Sequence, residues 1–382
     1  MRSYAHIVGW GKYVPRRVVT NEDLSRMVDT SDEWIRTRTG VRERHLADEG
    51  ETTATMALEA ARRALEVARI SPAQLDLIIV ATVTPDHLFP ATACLVQDAL
   101  GATHAAAFDL SAGCSGFVYG LAVAAHLLET GAYRTALVVG AETLSRITDW
   151  SDRATCVLFG DGAGAVVLRA GENEGGVLAT VLGADGSGGD LLMLPAGGSR
   201  WPASHRTVAE GMHYLRMQGR EVFRFAVRKM PAATREVLEK AHLSLDDVSL
   251  LIPHQANRRI IDAAARALGI PEEAVYVDLD RYGNTSAASI PIALCEAAEE
   301  GRIQPGDLVV CVGFGAGLTW GAAAVRWTLP QPPPLPGWRR LLHRLYYPLA
   351  ALRSWARRLV RRVAALWLWI VGERGDRDQP RS

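Results

Sequence analysis

The stretch ARISPAQLDLIIVAT (residues 68–82) returns later in the chain, altered but in the same order, as AHLSLDDVSLLIPHQ (residues 241–255). Each copy runs from a helix end through a polar turn into a short apolar run of strand type. Each is followed by a segment ending in ALG, CLVQDALG (94–101) and IDAAARALG (261–269). Further on, AFDLSAGCSG (107–116) is matched by YVDLDRYGNTS (276–286), and TALVVGAE (135–142) by LVVCVGFG (308–315). Both series close on a Gly-rich turn into a strand, FGDGAGAVVL (159–168) and FGAGLTWGAAAVRW (314–327). Chance likeness between two βαβ units does not reproduce five features in one order. The chain therefore reads as one unit used twice, over residues 1–170 and 171–330. Runs such as LDLIIVAT (75–82) look like buried strands, and ETTATMALEAARRALEVARI (51–70) opens on a Thr/Glu capping pattern and then reads as a helix. Strand and helix in alternation predict an α/β fold with mostly parallel sheets.

A duplication of this kind has a chemical consequence. Equivalent strand ends of the two halves face each other across the pseudo-twofold, so their residues converge. The first half puts Cys114 at such an end, among Ser, Ala and Gly at the start of a long apolar helix. Free cysteine is usually a small buried hydrophobe. A cysteine that another molecule must approach needs small neighbours, and here it has them. The second half puts His254 in PHQAN (253–257) and Asn284 in GNTS (283–286) at matching ends. Singly, His254 reads as a core histidine and YGNTSAAS as a turn. Together with Cys114 they predict one pocket.

Bulk composition sets the limits around that pocket. With 382 residues and 48% hydrophobic content, the chain can bury a large core. Five cysteines at 94, 114, 156, 295 and 311 form neither CxxC pairs nor His/Cys clusters, which argues against a disulfide framework and a zinc site. A reducing cytoplasm fits this pattern, and MRSYAHIVGWGKYVP has no secretory n- and h-regions. The net charge of zero hides an asymmetry. Residues 338–382 carry 11 Arg against Glu373, Asp376 and Asp378, a balance of +8, and the remainder carries −8.

The motifs resemble one family closely. TSDEWIRTRTGVRERH (30–45), SAGCSGF (111–117), FGDGAGA (159–165), MQGREVF (217–223), PHQANRRII (253–261), YGNTSAAS (282–289) and FGAGLTWG (314–321) are similar to those of β-ketoacyl-acyl-carrier-protein synthase III. This is the initiating condensing enzyme of fatty-acid synthesis, and the likeness covers about residues 1–328. Plant-type polyketide synthases share Cys–His–Asn but not these strings, and elongating condensing enzymes carry a second His where Asn284 stands.

The resemblance implies a duplicated thiolase-like fold of five layers, αβαβα. It implies decarboxylative condensation of an acyl-CoA with malonyl carrier protein through an acyl-cysteine on Cys114, with acyl carrier protein as partner, a homodimer and no cofactor, metal or nucleic acid. Cys114, its pKa lowered by the helix macrodipole, is the nucleophile, and His254 and Asn284 hold the malonyl thioester oxygen. The backbone N–H groups of Cys114 and Ala316 form the oxyanion hole, Ala standing where the family loop has Gly. Phe314 walls the malonyl carboxylate. Trp34, Arg38, Arg153 and Asn257 meet CoA, and Arg216, Arg224, Gln255 and Arg259 meet the carrier protein. Phe89, in HLFPATAC (87–94), caps the partner's acyl tunnel. The alternative is a related acyltransferase, or a non-decarboxylative enzyme joining two acyl chains.

Beyond residue 328 the resemblance ends. LPQPPPLPG (329–337) reads as a semi-rigid linker over 331–337. In the tail 338–382, Leu352, Ala356, Leu359, Val363, Leu366 and Ile370 recur at helical spacing, with Arg353, Arg357, Arg358, Arg361 and Arg362 on another face. Pro348 should break or kink the helix. VAALWLWIV (363–371) is too short to span a bilayer. The pattern predicts membrane-surface contact through residues 338–371, making a cytoplasmic enzyme peripheral at the inner membrane. The competing reading packs the tail on its own acidic body or on a partner.

Overall fold

The computed structural model describes residues 3–329 and 337–377. Strands β1 (Tyr4–Tyr13), β2 (Leu77–Ala81), β3 (Ala106–Leu110), β4 (Thr135–Glu142) and β5 (Gly162–Gly171) form one sheet, ordered β1-β5-β4-β2-β3. Strands β6 (Gly176–Ala184), β7 (Leu250–Pro253), β8 (Leu308–Gly315) and β9 (Thr319–Arg326) form the other, ordered β7-β8-β9-β6. The two orders correspond, with β2, β4, β5 and β1 answered by β7, β8, β9 and β6. β3 has no full counterpart. Around residues 276–286, where the repeat placed one, only the isolated bridges Leu251–Val275 and Phe159–Asn284 form among the described residues.

The sheets are mixed, not mostly parallel: four of the seven pairings are antiparallel. For β8 and β9 the reason lies in the Gly-rich closure of the second half. A turn as short as residues 316–318 between β8 and β9 can only return the chain antiparallel.

The longer helices are α1 (Thr53–Ala68), α2 (Thr92–Leu100), α3 (Gly116–Glu129), α4 (Gly219–Lys240), α5 (Arg258–Leu268), α6 (Ser289–Glu299) and α7 (Gly337–Arg377). The first two cover the outer face of the first sheet, α4 and α5 that of the second, and α3 and α6 lie between the sheets. These are the five layers of a thiolase-like fold. Sequence decides which helix goes where. α1 buries Met56, Ala57, Ala60, Ala61, Ala64 and Leu65, a one-sided stripe for an outer layer. α3 buries residues around its circumference, among them Phe117, Val118, Leu121 and Ala122, as a central helix must. Apolar side chains from both sheets and both central helices share one core.

Of the expected linker 331–337, Gly337 already belongs to α7 and residues 331–336 lie outside the described residues. Pro348 lies inside α7 and does not end it. Proline deletes one i→i−4 hydrogen bond, and this helix is held on the body by residues on both sides of that position.

Candidate active site

Cys114 sits in the turn Gly113–Ser115 between β3 and α3, at the end of the central helix that points toward the second half. That turn is pressed against the β8–β9 turn so closely that only glycine fits. A Cβ on Gly113, whose φ is +56°, would lie 2.5 Å from the Ala316 nitrogen, and one on Gly315 would lie 2.3 Å from the Cys114 nitrogen. Thr319 clamps the two turns, its hydroxyl 2.8 Å from the Ala112 carbonyl oxygen and 2.8 Å from Ser115 Oγ. The backbone nitrogens of Cys114 and Ala316 are thus held at one place. Ala316 is not among the residues at positive φ, so alanine is at ease where the family loop has glycine.

His254 follows β7 and is 1% exposed. Its Nδ1 lies 2.6 Å from Ser289 Oγ at the start of α6, and the Phe314 ring meets it edge-on at 5.4 Å. With Nδ1 engaged, Nε2 is the nitrogen left for the pocket. Burial pushes the imidazole down to about 3, so it is neutral at ordinary pH.

Asn284 is fixed by the first half of the chain. Its N–H donates to Leu158 O at 2.8 Å, and its carbonyl accepts from Gly160 N at 3.0 Å. The side-chain oxygen accepts from Ser286 N–H at 2.8 Å, which turns the amide so that Nδ2, a donor, is free for the pocket.

Burial pushes the Cys114 thiol up to about 12, opposed by its contacts with the Ser286 hydroxyl and the Cys114 N–H. The helix macrodipole alone would lower it. Desolvation in an apolar pocket, with no cationic partner among the described residues and a neutral His254, outweighs the helix terminus.

A carboxylate near this thiol escaped the sequence reading. Glu142, fully buried at the end of β4, accepts from Thr82 Oγ1, from the N–H groups of Val83 and Thr84, from Thr84 Oγ1 at 2.6 Å and from Ser286 Oγ at 3.0 Å. Burial raises it to about 7. Its signal in the sequence was a charge closing the otherwise apolar run TALVVGAE. Ser286, which bridges Glu142 and Cys114, holds φ at +50°, an uncommon conformation for serine.

A cavity of about 410 Å³ joins these groups, lined by Cys114, His254, Asn284, Phe314 and Ala316 and reaching outward to Trp34. Arg38 and Asn257 also line it. The Arg153 guanidinium lies over the Trp34 ring at 4.9 Å. Asn257 caps α5 through its oxygen and donates to Arg38 O at 3.1 Å.

Arg216, Arg224 and Arg259 are exposed, Arg224 paired with Glu221 and Arg259 over Phe223. Gln255 is not on that surface. It is 1% exposed and bonds Pro253 O, Tyr276 O and Asp278 N, so it braces the loop carrying His254 and cannot meet a carrier protein. It follows β7 inward because the strand it extends is wholly buried. Phe89 stands 86% exposed on the loop before α2.

The duplicated five-layer fold, with cysteine, histidine and asparagine around one cavity, defines a thiolase-fold condensing enzyme. Residues 108–186 match the family described as 3-oxoacyl-[acyl-carrier-protein] synthase III, and residues 238–327 match its C-terminal part. The chain is 61% identical over 321 residues to the β-ketoacyl-[acyl-carrier-protein] synthase III of Symbiobacterium thermophilum, covering 84% of this chain and 97% of that one. To the enzyme of that description from Caldanaerobacter subterraneus subsp. tengcongensis it is 58% identical over 324 residues, covering 85% and 98%. The crystal structure of 3-oxoacyl-[acyl-carrier-protein] synthase III from Aquifex aeolicus superposes with a TM-score of 0.79 at 52% identity, over 85% of this chain and all of that one. The chain belongs to the β-ketoacyl-acyl-carrier-protein synthase III family. The matched family region ends at residue 327, and each of these three relatives covers about 85% of this chain.

Proposed function

We propose that the enzyme starts fatty-acid synthesis by condensing an acyl-CoA with malonyl carrier protein to give 3-ketoacyl carrier protein, CoA and CO2. The observation that carries the reading is the pairing of two donors, Nε2 of a neutral His254 and Nδ2 of Asn284, at the cavity that holds Cys114.

In the first half-reaction the Cys114 sulfur attacks the thioester carbonyl. Its proton passes to Ser286 Oγ as the Ser286 proton passes to Glu142, to which that hydroxyl already donates. The oxyanion forms at the Cys114 and Ala316 N–H groups. The carbon–sulfur bond to CoA breaks, and CoA thiolate recovers a proton by the reverse relay. Trp34, Arg38 and Arg153 hold the CoA nucleotide at the outer end of the cavity.

In the second half-reaction the bond between malonyl C2 and its carboxyl group breaks and CO2 leaves. The thioester oxygen becomes an enolate oxygen held by His254 and Asn284. For His254 to donate, Nε2 must carry the proton, which follows if the Ser289 hydroxyl donates to Nδ1. Phe314 offers the departing carboxylate an apolar wall. C2 then attacks the acyl-Cys114 carbonyl, and the sulfur leaves as thiolate and is reprotonated. Arg216, Arg224 and Arg259 receive the carrier protein. Phe89 and Leu88, both exposed in the single chain, form the loop a second copy covers in a homodimer.

Intact-mass spectrometry tests the scheme. Incubation with a panel of acyl-CoAs should leave an acyl adduct on Cys114, and malonyl carrier protein should then discharge it as 3-ketoacyl carrier protein with one CO2 per turnover. An adduct that passes to another acceptor without CO2 would make the enzyme an acyltransferase.

A further inference from the structure

The helix α7 is docked on the body by its small and polar side, not by its apolar one. Ala350, 2% exposed, lies over Gly101 at the end of α2, where a glycine Cβ would come within 2.9 Å of it. Ser354 Oγ donates to Asp98 at 2.5 Å, Arg358 reaches the same carboxylate at 2.7 Å, and Arg357 lies 3.4 Å from it. Tyr347 packs under the Arg62 guanidinium at 4.4 Å. One helix in contact with a body normally turns its apolar stripe inward. Here Leu352, Trp355, Leu359 and Val363, spaced three and four apart, form a stripe on the far side, 45–60% exposed. Val360 and Trp367, also exposed, widen it.

Charge identifies what covers the stripe. At roughly 100° per residue, Arg353 and Arg362 fall on its two edges. Residues 338–372 contain eight Arg and no Asp or Glu, while the body is net acidic. An apolar stripe with Trp, edged by Arg and free of carboxylates, fits the boundary between acyl chains and anionic headgroups. Among the described residues no helix is long and apolar enough to cross a membrane, so the helix lies flat. A second copy of this chain fits less well, because its docking surface would be either the same cationic helix or a body already engaged through Asp98.

We propose that α7 seats the enzyme on an anionic lipid bilayer, with Leu352, Trp355, Leu359 and Val363 in the interface and Arg353 and Arg362 at the headgroups. The attraction is all in this helix, since the acidic body is repelled by the same surface.

The test is co-sedimentation of the full chain with vesicles of phosphatidylcholine alone, or of phosphatidylcholine and phosphatidylglycerol in equal parts. The full chain should bind the anionic vesicles at least tenfold more tightly than the neutral ones, and less tightly as salt rises. The double variant Leu359→Glu and Val363→Glu, altered only on the exposed face, should lose that binding and keep its condensation rate in solution. Absence of binding by the full chain, or equal binding by the variant, overturns the proposal. So does a stripe covered by a second copy, seen as a fall in the variant's solution mass with no vesicle binding in either protein.

Discussion

At the scale of single residues, the site contains three groups whose charge is set by burial: a neutral thiol, a neutral imidazole and a carboxyl poised near neutrality. Glu142 decides between two accounts of Cys114. Its charge opposes the thiolate, yet through Ser286 it is also the acceptor of the thiol proton. In Glu142→Gln the thiol should ionise more easily, so alkylation of Cys114 by iodoacetamide at pH 8 should speed up. Acylation by acyl-CoA should slow at least tenfold, because the relay is gone. If both rates rise, Glu142 is only a repelling charge.

The same residue sets a stability window. Its pKa is raised from the usual carboxylate value to about 7, so the fold prefers the protonated form. That contribution is full below the unfolded value and is lost as pH climbs through about 7. Urea unfolding of wild type should weaken by about 3 kcal/mol, relative to Glu142→Gln, between pH 4 and pH 8. Parallel profiles would mean that the five donors offset burial and leave Glu142 at the ordinary carboxylate value. Ser289 is a third case. Ser289→Ala should slow malonyl decarboxylation roughly tenfold while leaving Cys114 acylation unchanged, since only the first of these needs His254 to donate. Equal loss in both half-reactions would instead indicate a general disturbance of the pocket.

At the scale of elements, the oxyanion pair depends on two turns from different halves meeting without side chains between them. Gly315→Ala puts a Cβ 2.3 Å from the Cys114 nitrogen, and neither backbone can yield without separating the two N–H groups. Acylation should fall by a factor of about 100 to 1,000, the usual cost of one lost donor, with the circular dichroism unchanged. A normal rate in that variant would remove Ala316 from the oxyanion site. These Gly-rich turns were legible in the sequence, as were the buried runs of β2 and β4, because glycine and unbroken apolar runs report local needs. Strand direction was not, because it depends on where a chain returns and not on what a strand contains. Gln255 misled for a related reason: among the arginines of PHQANRR it looks like surface, yet it still follows the buried line of β7. The Cys114 pKa was misjudged because desolvation by residues distant in sequence leaves no local mark. Glu142 left one, a lone acid after an apolar strand, which could have been read.

At the scale of the whole molecule, an acidic catalytic body carries a basic helix docked against α2, and one carboxylate receives three of its side chains. Asp98, about one-third exposed, receives Ser354, Arg357 and Arg358 and is held below the usual carboxylate range, chiefly by the Ser354 and Arg358 hydrogen bonds working against desolvation. Ion pairs this accessible contribute little each, so the cluster is worth on the order of 1 kcal/mol, and the close fit of Ala350 on Gly101 supplies the rest. Asp98→Asn should then raise amide exchange across residues 346–358 about fivefold and leave the exchange of α3 and the rate of Cys114 acylation as they are. High salt should do the same to wild type and nothing further to the variant. Unchanged exchange would assign the docking to Ala350 and Tyr347 alone, and Gly101→Ala, which forces a methyl against Ala350, would then be the change that frees the helix.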